Sequence, residues 1–314
     1  MSRSALVTGG AGFIGSHLVD RLVREGWRVR VLDDFSSGRE QNLAASRTRI
    51  ELLKGDLCDE ALCARAVAGA DVVFHEAAVP SVPRSVAEPV RTNRVNVTGT
   101  LGLLEAARTA GVRRFVFAAS SSAYGNTEQL PKAEDMPPTP ESPYALQKLA
   151  GEEYCRLYTK LYGFETVALR YFNVYGPRQN PQSEYAAVVP RFITACLAGQ
   201  APVIYGDGEQ TRDFTFIGDV VEANLLAAAS AQAVGSVMNV AGGRRISLNE
   251  LLRVIQDIAR TKLAAHYEPA RAGDVRDSLA SLARAEALLG FRPRTSLLEG
   301  LAETIDSYRG ALAS

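Results

Sequence analysis

The run Ala5-Leu6-Val7-Thr8-Gly9-Gly10-Ala11-Gly12-Phe13-Ile14-Gly15-Ser16-His17 constrains this chain more than any other stretch. An apolar strand pattern passes into a glycine-rich turn and then into a helical pattern. Gly10, Gly12 and Gly15 satisfy G-x-G-x-x-G, and Gly9, Gly12 and Gly15 satisfy a G-x-x-G-x-x-G variant. Glycine there permits a tight turn, close backbone approach to a pyrophosphate, and packing of helix on strand, while free N–H groups at the helix start face the phosphates. The next apolar strand ends at Asp33, the spacing expected of a carboxylate that binds adenosine ribose hydroxyls. Asp34 and Phe35 follow, with no adjacent arginine for a 2′-phosphate, so NAD is expected rather than NADP.

The rest of the chain extends this unit. Strand patterns at 4–8, 28–32, 50–53, 71–75, 114–119 and 166–171 alternate with helical patterns at 13–25, 60–68, 90–110 and 143–162. Continuous apolar strands in βαβ order predict a doubly wound parallel α/β sheet of the Rossmann type, covered on both faces. Asp56-Leu57 and Ala77-Ala78 follow the third and fourth strands, where adenine and pyrophosphate are expected. Alternation loosens after Asn173, which predicts an NAD-binding domain over 1–173 and a smaller C-terminal α/β lobe over 174–314. Segments near 212–240 are expected to return to the first domain.

Composition narrows the function. With 35 basic and 35 acidic residues the net charge is zero, which argues against a track for nucleic acid or a basic membrane face. A hydrophobic content of 46% is enough to build a core, which excludes a disordered regulator. Cys58, Cys63, Cys155 and Cys196 form no C-x-x-C pair and read as free thiols in a reducing compartment. No secretory pattern or spanning run is present, so a cytoplasmic protein is expected. No metal is expected.

Ser142-Pro143-Tyr144-Ala145-Leu146-Gln147-Lys148 carries the chemistry. Ser142 reads as an N-cap and Pro143 as the first helical residue, which puts Tyr144 and Lys148 at i and i+4 on one face. A nearby ammonium and a helix N-terminus both favour phenolate, so Tyr144 is a candidate general base with a lowered pKa. Upstream, a strand ends in Ser120-Ser121-Ser122, which places Ser120 in the same crevice as the cofactor, able to exchange hydrogen bonds with a sugar hydroxyl.

Together these motifs resemble the extended short-chain dehydrogenase/reductase family over essentially the whole chain. Tyr171-Phe172-Asn173-Val174-Tyr175-Gly176-Pro177-Arg178 and Gly206-Asp207-Gly208-Glu209-Gln210-Thr211-Arg212-Asp213-Phe214 resemble its nucleotide-sugar epimerases and dehydratases. The resemblance implies that Phe13, Ile14, Ser37, Gly38, Asn96 and Tyr171 join Tyr144 and Lys148 around NAD. It implies that Asn173, Arg212 and Arg271 hold a diphosphate, with Asp274 near the ribose, Ser122 near the hexose, and Ala187, Val188, Val189 and Tyr205 around uracil. The dehydratases carry Thr-Asp-Glu where this chain has Ser120-Ser121-Ser122, so a UDP-hexose 4-epimerase acting through a 4-keto intermediate is expected.

The segments 78–85 and 185–190 resemble epimerases of UDP-N-acetylhexosamines, including those serving surface polysaccharide synthesis. Ser278 falls at the gate position where a tyrosine restricts the pocket to glucose and galactose. The alternatives are a UDP-glucuronate 4-epimerase, with Arg84 or Arg178 as carboxylate partner, and a non-catalytic NAD sensor or scaffold. A homodimer through the helices near 90–110 and 143–162 is implied as well. His75 reads as structural. Glu76 departs from the family, which more often has an uncharged residue there, and the sequence supplies no account of it.

Overall fold

The computed structural model describes residues 3–181, 187–270 and 275–313. Six strands come first: β1 (Ser4–Thr8), β2 (Arg28–Asp33), β3 (Ile50–Lys54), β4 (Val72–His75), β5 (Arg114–Ser120) and β6 (Glu165–Tyr171). Short strands follow at β7 (Val174–Tyr175), β8 (Val203–Tyr205), β9 (Thr211–Asp213) and β10 (Thr215–Phe216), then β11 (Val237–Val240), β12 (Arg245–Ser247) and β13 (His266–Glu268). The central sheet has seven strands in the order β11-β6-β5-β4-β1-β2-β3, and every pair is parallel. The order reverses between β1 and β4, opening a crevice at the carboxyl ends of the strands.

Helices cover both faces. In chain order they are α1 (Phe13–Arg24), α2 (Glu60–Val67), α3 (Val82–Ala87), α4 (Pro89–Asn93), α5 (Thr100–Thr109), α6 (Pro143–Tyr162), α7 (Val188–Leu197), α8 (Ile217–Ala229), α9 (Leu248–Ala259), α10 (Ala283–Leu289) and α11 (Leu297–Ala313). Successive strand residues point to opposite faces, so Val7, Val116 and Leu169 pack with α1 and α8, whereas Leu6, Phe115 and Phe117 pack with α2, α5 and α6. Burial on both sides explains why these strands read as unbroken apolar runs.

Two expected elements differ. The helix over 90–110 is interrupted by a π-helical turn at Arg94–Gly99, between α4 and α5. From this turn the buried Asn96 side chain bonds Val79 at both its N–H and its carbonyl, and also Gln147, so the wide turn fastens the loop after β4. Of the segment 212–240, Val237–Val240 forms the sheet edge beside β6, whereas β9 pairs antiparallel with β12 and β10 pairs with β7. Strands of two or three residues bearing Arg212 and Asp213 suit a small peripheral ladder better than a buried central position.

The fold also buries charge. Arg114 is almost fully enclosed and donates to the Ala227 and Ser230 carbonyls, satisfying the end of α8. Glu152 on α6 and Arg170 on β6 form a bidentate pair at 2.6 and 2.8 Å, and the guanidinium lies 4.6 Å from the Tyr124 ring centre. Removing one partner of such a pair strands the other charge. Glu152→Gln is therefore expected to lower unfolding free energy by about 3–5 kcal/mol in urea titrations. The paired replacement Glu152→Leu with Arg170→Met should cost much less.

Candidate active site

The glycine turn is built from backbone contact. Gly9 has φ +65°, and a β-carbon there would stand 2.8 Å from Ala77 Cα; one on Gly15 would stand 2.2 Å from the Gly9 carbonyl oxygen. The start of α1 at Gly12 has no side-chain cap and no acidic residue in its first turn. Its N–H groups are thus open to an anion. Asp33 is buried at the end of β2 and accepts from Ala11 N and Phe35 N at 2.9 and 2.8 Å. Burial raises its pKa against those two N–H bonds, which lower it, and the remaining lone pairs can accept hydroxyl donors. Gly38 packs on Ala11 and Asp33, and Ser37 beside it is exposed. Asp56 accepts from Cys58 N, and Leu57 is buried under Gly99.

Ser142 caps α6 by accepting from Ala145 N, with Pro143 in the first helical turn. The Tyr144 N–H donates instead to Ser85 Oγ at 3.0 Å, so α3 also fixes the helix start. Ser120 lies close enough to the Tyr144 hydroxyl to act on its acidity. Ser120 Oγ also accepts from Ser122 Oγ at 2.8 Å and from Ser122 N at 3.2 Å. Lys148 Nζ donates to the Ala118 carbonyl at 2.7 Å and lies 5.0 Å from the Phe117 ring centre.

The expected lowering of the Tyr144 pKa is not found. Burial pushes the phenol up to about 12, against the opposing effect of the Ser120 hydrogen bond. Burial likewise pushes Lys148 down to about 8, while Glu76 works to raise it. The i, i+4 spacing puts both residues on one helix face, but desolvation outweighs what that neighbourhood contributes to the phenol.

His75 has its two ring nitrogens on Thr8 and Thr100, is fully buried, and is held neutral, its pKa lowered to about 3 by burial. Glu76, next in the chain, accepts from the Tyr171 hydroxyl at 2.8 Å.

Two cavities of about 240 Å³ each lie beyond the serines. Ala187, Val188, Val189, Tyr205, Gln210 and Leu248 help to line the first, where the Arg191 guanidinium lies 5.1 Å from the Tyr205 ring centre. The second is lined by Ser120, Ser122, Tyr124, Lys132, Asp277 and Ser278 among others. Asn173 and Arg212 line both, so they stand where the two meet. Asn173 adopts φ +30°, tolerable for asparagine, and its amide donates to the Asp213 carbonyl at 3.0 Å. Arg271 and Asp274 lie outside the described residues.

The NAD dependent epimerase/dehydratase family matches residues 5–241. The chain belongs to this family. It is 44% identical over 308 residues to a UDP-glucose 4-epimerase of Mycolicibacterium smegmatis, covering 97% of this chain and 98% of that protein. A UDP-N-acetylglucosamine 4-epimerase from Methanobrevibacter ruminantium, solved with UDP-N-acetylmuramic acid, superimposes with a TM-score of 0.95 at 40% identity, covering 99% of each chain. The UDP-glucose 4-epimerase of Thermotoga maritima, solved with UDP-glucose, gives 0.94 at 40% identity, covering 98% of this chain and 99% of that one.

NAD is the cofactor of this epimerase/dehydratase family member, and the residues present fit it. The bare-backbone turn, the open start of α1 and the acceptor Asp33 supply the donor and acceptor set that a dinucleotide needs. Other expected contacts have protein partners: Asn96 on Val79 and Gln147, Tyr171 on Glu76 and Asn224. Ser85, Lys132 and Asp277 join the site without having been singled out for it. Lys132 comes from a loop with no motif of its own and reaches Thr127, and Asp277 is bound by Thr211 at 2.5 Å.

No helix among the described residues is long and apolar enough to cross a membrane. Asp33→Asn should weaken NADH binding roughly 10- to 100-fold and narrow the preference over NADPH. Fluorescence titration with both nucleotides checks this, and an unchanged preference contradicts the role of the carboxylate.

Proposed function

We propose that this chain is a UDP-hexose 4-epimerase that accepts UDP-N-acetylglucosamine and UDP-N-acetylgalactosamine, and UDP-glucose and UDP-galactose as well. The observation that carries the reading is the shared lining of the two cavities. A diphosphate at Asn173 and Arg212 would put uracil among Val188, Val189 and Tyr205, and the hexose beside Ser120 and Ser122. The small side chain of Ser278 on the hexose cavity supports the N-acetylated substrates. Against a glucuronate substrate, Arg178 is paired with Asp20 at 2.6 Å, and neither Arg84 nor Arg178 is among the described residues lining that cavity. Residues 1–173 would then serve NAD and 174–314 mainly the UDP-sugar. Unpaired thiols suit a cytoplasmic enzyme.

In this mechanism Tyr144 removes the proton of the sugar 4-hydroxyl, assisted by Ser120, and returns it after the 4-keto sugar has presented its other face. NAD, when bound, supplies the acceptor for the C4 hydride and a cationic ring. Lys148 offers two N–H bonds beyond the one on Ala118, enough to hold a ribose. Arg212, Asn173 and Arg271 would grip the diphosphate, and the hexose would turn within the second cavity. A second copy of the chain would cover Val86, Val90, Leu146, Leu157 and Leu161, which are exposed on α3, α4 and α6.

Incubation with UDP-GalNAc, UDP-galactose and UDP-glucuronate in turn, with the C4 epimer followed by NMR, tests the reading. Turnover of the first two is expected, and turnover of none would reject an epimerase. Tyr144→Phe should retain NAD and lose about 10²- to 10⁴-fold in turnover. Ser278→Tyr should depress the N-acetylated reaction selectively; equal loss on every substrate contradicts the gate. Light scattering is expected to return a dimer, and Leu157→Arg with Leu161→Arg to return a monomer.

A further inference from the structure

Glu76 is a carboxyl group placed at the cofactor crevice by a chain of hydrogen bonds. Tyr171, at the end of β6, donates to Glu76 Oε1 at 2.8 Å, and Asn224 on α8 donates to the Tyr171 oxygen at the same distance. Tyr171 and Asn224 are buried, and Asn224 also donates to the Val220 carbonyl. Three elements therefore converge to hold one acid at the end of β4. Desolvation makes this arrangement costly, because it pushes the Glu76 carboxyl up to about 7 against the pull of Tyr171 and Lys148. An apolar residue would pack there without that cost.

The acid faces a specific charge. Lys148 reaches the carbonyl of Ala118 on β5, the strand between β4 and β6, so Glu76 and Lys148 are opposite charges around the ends of three adjacent strands. His75 does not compete, since it is neutral and occupied by Thr8 and Thr100. Glu76 and Lys148 thus offset one another in part at this end of the crevice. Oxidised NAD brings a positive ring, and its reduction by hydride cancels that charge.

We propose that Glu76 is a positioning residue of the redox site, a carboxyl held at the ends of β4, β5 and β6 whose ionised form favours the oxidised cofactor over the reduced one. Such a bias has a use in a cycle that ends with the cofactor as it began. A keto sugar that escaped midway would leave the protein holding NADH, and a negative charge in the crevice makes that stalled state less favourable. The inference rests on the cofactor placement proposed above, and it holds for any sugar substrate.

Titration of the full chain with NAD and with NADH at a pH above the Glu76 value of about 7, where the carboxyl is ionised, gives the ratio of their dissociation constants without any sugar. Glu76→Gln keeps the shape of the side chain, and the NAD/NADH dissociation-constant ratio is expected to rise roughly fivefold or more, the scale of a partly screened unit charge. Glu76→Asp, which keeps the charge, should recover most of the wild-type ratio. A merely structural residue would change both affinities alike, so a ratio within about twofold of wild type in Glu76→Gln overturns the proposal. Lys148→Met separates the two readings. Loss of affinity for both nucleotides supports the placement; unchanged affinity for both removes the placement and the inference with it. Loss in Lys148→Met together with an unchanged ratio in Glu76→Gln removes the inference about Glu76 alone.

Discussion

Between β1, α1 and the end of β4 there is room for backbone and nothing else. A side chain at Gly15 would collide with the Gly9 carbonyl, and one at Gly9 would collide with Ala77. This contact turns the chain out of β1 so that α1 begins with open N–H groups at the crevice. It also holds the residues after β4 against the same turn, where Glu76 and Ala77 sit. Asp33 then closes the turn from β2 by accepting from Ala11. The glycine turn and the residues after β4 are thus two sides of one close approach, and the sheet order places the crevice beside it.

The helix α6 extends that logic to charge. Tyr144, Lys148 and Glu152 follow at steps of four, along one inward stripe. Gly151 lies on the same side, where a β-carbon would come within 2.5 Å of the Phe117 ring, so the helix rides close on β5. That proximity lets Lys148 reach the Ala118 carbonyl and Glu152 reach Arg170. A stripe of ionisable groups inside a protein is stable only when each finds a partner. Glu152 has Arg170, and Lys148 has a carbonyl with Glu76 nearby.

What could be read in the residues was what repeats locally. The glycine turn, the Ser142 cap, the Pro143 start and the apolar runs each specify a neighbour within a few residues, and the structure has them at those positions. The π turn at Arg94–Gly99 was invisible because it depends on Asn96 meeting Val79, a contact across the fold. Phenol acidity was misjudged for a related reason: sequence spacing shows which charges are near Tyr144, but not how thoroughly water is removed. Lys132 and Asp277 reach the second cavity from loops with no pattern, and Glu76 acquires meaning only through Tyr171 and Asn224. The return of Val237–Val240 to the first domain was legible, but its place at the sheet edge beside β6 was not.

That last strand has a wider consequence. The chain leaves the sheet at β6, builds β7 to β10 with α7 and α8, and rejoins it at β11, directly beside the strand it left. The excursion contributes most of the described lining of the first cavity and contains no residue of the glycine turn, Ser120, Tyr144 or Lys148. With both its ends anchored on adjacent parallel strands, the excursion can change in length or sequence without altering the pairing of β1 to β6.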